Sequence, residues 1–133
     1  MTDEELMRQF EDASLPPDTF HHLEHVRAAF LYLRDYPVLE AMARFSATLK
    51  RFAAAQGKAE RYHETITWAY LLMVRERMAR SGRPLSWVEF AAANPDLLRY
   101  KDGVLKKYYR DETLASEVAR GTFVFPDRCV GQS

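Results

Sequence analysis

The sequence predicts an all-α fold, and three observations carry that prediction. Apolar residues recur every three or four positions along most of the chain, the spacing of one face of a helix. Proline, glycine and capping residues separate the segments that show this spacing. No stretch of useful length alternates apolar and polar residues as a half-buried strand would. The expected architecture is an up-and-down-like bundle of about four main helices with shorter C-terminal helices, one domain over residues 1–133.

The elements follow in order. Residues 3–13 form a short polar helix with Leu6, Met7 and Phe10 as its apolar contacts, and Leu15-Pro16-Pro17-Asp18 breaks it. Asp18 or Thr19 is placed to cap a second helix over 19–35. Pro37 suits the first turn of a third over 37–55, where Val38, Met42, Phe45, Leu49 and Phe52 make one apolar stripe. Glu40 and Arg44 stand four apart on its polar side and can pair. Gln56-Gly57 stops it. A fourth helix is expected over 59–80, ending at Ser81-Gly82. Ser86-Trp87-Val88-Glu89 reads as a capping box opening a fifth over 86–93. Two short helices, 104–110 and 112–120, follow the Asp102-Gly103 break. The tail, 122–133, is expected to lie extended on the bundle.

Bulk properties exclude several function classes. Lys plus Arg and Asp plus Glu both number 19, so the formal net charge is zero. That balance argues against an extended nucleic-acid surface, and no nucleic-acid partner is expected. The acidic start Met1-Thr2-Asp3-Glu4-Glu5 lacks the basic, then apolar, pattern of a secretory signal. The longest apolar run, Trp68 to Val74, is far short of a membrane span. No membrane partner is therefore expected, and a cytoplasmic setting is the default. A single cysteine, Cys129, cannot build an internal disulfide, and near a chain end it is a poor nucleophile. With 5 glycines and no glycine-rich phosphate loop, no nucleotide cofactor is expected.

The residues that suggest chemistry are the histidines. His21, His22 and His25 lie within one short window, and His63 lies in Tyr62-His63-Glu64-Thr65-Ile66-Thr67. A helix turns about 100° per residue, so spacing gives direction. On the second helix His22 falls within the face marked by Leu23, Val26, Ala29, Phe30 and Leu33. His25 falls at the edge of that face, His21 lies further toward solvent, and Glu24 points away. On the fourth helix His63 sits in the middle of the side marked by Ile66, Ala69, Tyr70, Met73 and Val74. If the two helices are neighbours, and run parallel or cross close to those ends, His22, His25 and His63 can meet. Three imidazoles plus water make an open catalytic metal site. Glu64 would be a fourth ligand or the general base on metal-bound water. Tyr62 and Thr67 would orient substrate, and Arg120 is placed to bind a carboxylate or phosphate. Zinc suits such a set, and so do iron, nickel or manganese.

Other readings stand beside this one. Inward histidines are often only hydrogen-bonded core residues, and a histidine-lined pocket needs no metal. His21-His22-Leu23-Glu24-His25 also matches the H-x-x-E-H metalloprotease pattern, but the outward direction of Glu24 speaks against it. The apolar girth of the fourth helix leaves room for a homodimer face.

Three strings, Phe20-His21-His22-Leu23-Glu24-His25-Val26-Arg27, Arg61-Tyr62-His63-Glu64-Thr65-Ile66-Thr67 and Leu114-Ala115-Ser116-Glu117-Val118-Ala119-Arg120 followed by Phe-Val-Phe-Pro-Asp, resemble a family of small bacterial all-helical proteins of no established activity. The resemblance spans residues 18–127. It implies a shared fold and site rather than a reaction, centred on His22, His25 and His63-Glu64, with Ser116, Arg120 and Asp127 added. The function expected is a metal-dependent enzyme, hydrolytic first; the alternative is a non-catalytic module that binds a small ligand or a partner through a histidine-lined pocket.

Overall fold

A helix begins where free backbone N–H groups find a cap, and in the computed structural model, which describes residues 1–128, the caps decide several boundaries. Helix α1 (Asp3–Glu11) starts at Thr2, whose Oγ1 accepts the Glu5 N–H at 3.1 Å. Helix α2 (His22–Asp35) starts later than expected, because Pro17–Thr19 forms a separate 3-10 turn. Neither Asp18 nor Thr19 caps it. His21 is the N-cap, and its N–H donates to Glu24 Oε1 at 2.9 Å. Helix α3 (Val38–Ala55) carries the expected stripe and the Glu40–Arg44 pair, 2.8 Å apart.

The largest boundary correction concerns helix α4, which runs Glu64–Arg80 and not from 59. Ala59–Arg61 is a 3-10 turn, the chain extends through Tyr62, and His63 becomes the N-cap. Helix α5 (Trp87–Ala93) opens on the expected capping box, with Ser86 and Glu89 bonding each other's N–H at 3.2 and 3.0 Å. Two 3-10 turns follow, Pro95–Leu98 and Val104–Lys107, and then the short helices α6 (Asp111–Leu114) and α7 (Glu117–Gly121). No strand forms among the described residues.

Helix α2 is the central element: Val26 and Ala28 through Leu33 are all buried, so its apolar surface is wider than one stripe. It packs on α3 and α4, with α1 across α2 and α3, and α5 and the Pro95–Leu98 turn closing another side. Phe10 joins the aromatic core, its ring centre 4.8 Å from Phe20, 5.6 Å from Phe45 and 5.7 Å from Phe52. Arg27 clamps α1 to α2 through Asp3. Arg77, near the end of α4, makes a two-pronged pair with Asp96 and a bond to Asn94.

A smaller cluster, Ala69, Leu105 and Tyr109, binds the C-terminal turns to α4. Tyr109 is buried while Tyr108 faces outward. Residues 123–128 form no regular secondary structure and are bonded back to α4 and Tyr109. Thr65 Oγ1 donates to the Thr122 carbonyl at 2.7 Å and accepts the Val124 N–H at 3.1 Å. Tyr109 donates to the Val124 carbonyl, and Phe123 stacks on Trp68. Cys129 and the rest of the expected tail lie outside the described residues. Among the described residues no helix is long and apolar enough to cross a membrane.

Candidate functional site

Helices α2 and α4 do touch, yet the three inward histidines do not converge. His63 is spent on structure. Its Nδ1 accepts the Ile66 N–H at 3.1 Å, and its Nε2 lies 2.7 Å from the Leu114 carbonyl oxygen. A carbonyl only accepts, so Nε2 carries the proton and Nδ1 the lone pair. One ring thereby caps α4 and ties it to α6. His22 is half-buried at the start of α2, and its Nε2 donates to the Leu97 carbonyl at 2.9 Å. Its ring meets Tyr70 edge-on, with centres 5.0 Å apart. His25 is half-buried against Phe20, ring centres 4.1 Å apart, and its ring makes no hydrogen bond among the described residues. Burial pushes its pKa down to about 4, and nearby His22 adds to the shift.

A metal ion needs imidazole lone pairs aimed at one point. The His63 lone pair already accepts a backbone N–H, and the outward nitrogens of His22 and His63 serve different carbonyls. Among the described residues no three His, Cys, Asp or Glu side chains are grouped so as to hold a metal. The residues present therefore do not fit the expected zinc, iron, nickel or manganese centre. The sequence reading missed this because it ran the fourth helix through His63. A cap residue has extended backbone, so helical directions do not apply to its side chain. The H-x-x-E-H reading fares no better, since Glu24 caps His21.

The partners proposed for that centre have other work. Tyr62 donates to Glu64 Oε1 at 2.5 Å. Burial and then this carboxylate push the Tyr62 phenol up to about 12, and Lys50 Nζ sits 5.0 Å from its ring centre. Glu64 is a partly buried acceptor for Tyr62. Thr67 Oγ1 donates back to the His63 carbonyl at 2.7 Å. Arg120 Nη1 donates to the Glu60 carbonyl at 2.7 Å, pinning α7 to the Ala59–Arg61 turn. Ser116 caps α7 and donates to the Thr113 carbonyl. Asp127 accepts from the Thr113 hydroxyl and from the Arg110 N–H, which hold its carboxyl below the usual range.

These bonds share a consequence. His63, Thr65, Arg120, Ser116 and Asp127 all position the last quarter of the described chain. That quarter builds an open cleft of about 620 Å³ lined by Asp102, Gly103, Lys106, Lys107, Arg110, Asp127 and Arg128. Gly103 sits on its floor for a steric reason: a Cβ there would lie 2.9 Å from the Arg99 carbonyl oxygen. The Asp127 and Arg128 N–H groups both reach the Tyr108 carbonyl at 3.0 Å, and Arg128 Nη1 donates to the Lys106 carbonyl. Asp102 pairs with Lys106 at 3.7 Å. Lys107 and Arg110 make no side-chain hydrogen bond or ion pair among the described residues. The four cations outnumber the two acids, and both Asp127 oxygens are already engaged.

A local signal for this cleft was present in the sequence. Residues 99–110 hold five cations, Arg99, Lys101, Lys106, Lys107 and Arg110, against one acid, Asp102. A zero net charge for the whole chain hides that segregation. No family model, curated protein or solved structure matches the chain.

Proposed function

We propose that this protein is a non-catalytic binding module for an anionic ligand, taken up in the cleft between the Val104–Lys107 turn and residues 126–128. One observation carries the reading: two unpaired cations, Lys107 and Arg110, share a cleft with Lys106 and Arg128. Charge-assisted hydrogen bonds from such groups to phosphate or carboxylate oxygens are among the stronger polar contacts. This keeps the small-ligand reading of the sequence but moves it away from the histidines. Metal-assisted hydrolysis through His22, His25, His63 and Glu64 gains no support from the hydrogen bonds those residues make.

The test is titration with inorganic phosphate, followed by amide and side-chain NMR shifts. Shifts clustered at Lys106, Lys107 and Arg110, and lost in Lys107→Ala/Arg110→Ala, are expected. Both substituted side chains are exposed and unpaired, so the double variant should keep wild-type stability within about 0.5 kcal/mol. Shifts elsewhere, or none, overturn the reading.

A further inference from the structure

A second cavity, of about 300 Å³, shares no residue with the basic cleft. Helices α2, α4 and α5 line it, together with the loop that joins α4 to α5. Local chemistry builds that loop. Helix α4 is capped at Ser81, whose hydroxyl donates between the Met78 and Arg83 carbonyls at 2.7 and 2.6 Å. Gly82 follows with φ +76°, a left-handed conformation that costs glycine little. The Ser86–Glu89 capping box then restarts the chain as α5. Both ends of the loop are bonded in place, so this wall of the cavity is part of the fold.

The lining divides by exposure. Phe30, Leu33 and Phe90 are buried and make an apolar floor, with Met78 and Leu85 half-buried beside them. The exposed lining residues are Pro84 and three arginines, Arg34, Arg75 and Arg83, and no acid is among them. Two of the arginines are taken. Arg34 pairs with Asp35 at 2.8 Å and Asp3 at 3.5 Å, and Arg83 pairs with Glu89 at 3.2 Å. Arg75, of the same lining, makes no ion pair or side-chain hydrogen bond among the described residues.

An apolar floor favours a hydrocarbon body, because burial removes both from water. A free guanidinium is a planar fork that matches the two oxygens of a carboxylate. A bare inorganic anion would use Arg75 and leave the floor wet. A neutral hydrocarbon would leave Arg75 without a partner. A phosphate monoester carries nearly two charges at neutral pH, more than one free arginine answers. We propose that this cavity binds a small amphipathic carboxylate, its oxygens on Arg75 and its hydrocarbon on Phe30, Leu33, Met78 and Leu85. The volume sets the size: at roughly 30 Å³ for each water-sized group, the cavity takes about ten non-hydrogen atoms. Pockets of this kind, apolar with few polar groups, are where small molecules bind.

The experiment is NMR titration of the full chain with sodium octanoate and, separately, sodium phenylpropionate, which distinguish an alkyl from an aryl body. Octanamide, with the chain but not the charge, and acetate, with the charge but not the chain, run alongside. Shifts at the Leu33, Met78 and Leu85 methyl groups are expected with at least one of the two larger carboxylates. Octanamide should bind about tenfold more weakly than octanoate, lacking the charge-assisted bonds, and acetate should leave the methyl signals unmoved. Arg75→Gln should weaken carboxylate binding about tenfold for the same reason and leave octanamide binding unchanged. Arg75 is exposed, so the variant should fold as wild type does. Lys107→Ala/Arg110→Ala, altered only at the basic cleft, should bind the carboxylates like wild type. No shift at these methyl groups with either carboxylate overturns the inference. Octanamide binding as tightly as octanoate, or affinity insensitive to Arg75→Gln, also overturns it, since the charge would then play no part. Shifts confined to Lys106, Lys107 and Arg110 would put the carboxylate in the basic cleft, overturning this site and supporting the reading of that one.

Discussion

The histidine end of the molecule and the basic cleft hold opposite kinds of polar group. At the histidine end nearly every such group has a partner. His22 serves Leu97, His63 serves Ile66 and Leu114, Thr67 serves the His63 carbonyl, and Tyr62 serves Glu64. In the cleft, Lys107 and Arg110 are exposed and unpaired among the described residues. Burying a polar group without a partner costs free energy, so buried polar residues are consumed by the fold that buries them. An exposed cation costs little and stays available. Residue type therefore says what a side chain can do, and its existing hydrogen bonds say whether it is free to do it. By that measure the side chains of richer chemistry are committed to the fold, and the plainer ones in the cleft are free to bind.

The strongest way to break this comparison is His63→Ala. If His63 is scaffold, the variant loses the cap on Ile66, the bond to Leu114 and a buried ring at once. A lost cap costs ~1 kcal/mol and a buried carbonyl left unpaired ~1–3 kcal/mol. A total destabilisation of about 3 kcal/mol is expected in urea unfolding, and a metal chelator should leave wild-type stability unchanged. A chelator-sensitive wild type, or a variant as stable as wild type, would return His63 to the list of functional residues.

His25 offers a smaller effect that sharpens the same contrast. It is the one inward histidine whose ring has no hydrogen bond among the described residues, and burial holds its pKa at about 4 against an ordinary 6.5. The folded state therefore resists the proton that the unfolded chain accepts. Stability is fully present above about pH 6.5, falls as the pH drops toward 4, and has no further contribution from this group below that. A shift of that size is worth at most ~3 kcal/mol. Thermal unfolding across that window should show the loss, and His25→Phe should flatten it, with the apolar ring still packed on Phe20. An equal slope in the variant would assign the pH dependence to other groups.

The fold was largely legible in the sequence because it depends on periodicity and caps, which are local. The α3 stripe, the Ser86–Glu89 capping box and the Glu40–Arg44 pair all appear where spacing put them. Errors came where a helix could start at several places. The 3-10 turns at Pro17–Thr19 and Ala59–Arg61 look helical in composition, and each hid the true cap, His21 and His63. The candidate site was less legible for a different reason. Its geometry rests on bonds between residues about sixty positions apart, such as Thr65 to Thr122 and Arg120 to Glu60, and no local pattern announces those.

Thr65→Val tests the link between the two regions with the smallest change. Thr65 is fully buried, and its hydroxyl is the knot that ties residues 122 and 124 to α4. Valine keeps the branched shape, so the core should repack with little cavity cost, but the Thr122 carbonyl and the Val124 N–H lose their partner. Because residues 122–124 lie near the surface, water can replace part of what is lost, and a stability change of about 1 kcal/mol is expected. The larger consequence lies at a distance. Residues 122–124 lead directly into Asp127 and Arg128, which form one wall of the cleft. Loosening them should weaken phosphate binding several-fold while Lys107 and Arg110 remain unchanged. If affinity holds while stability falls, the cleft does not depend on the Tyr62–Thr67 segment, and the two regions are independent parts of the molecule. If both fall, the segment that looked catalytic in the sequence acts by holding the binding wall in place.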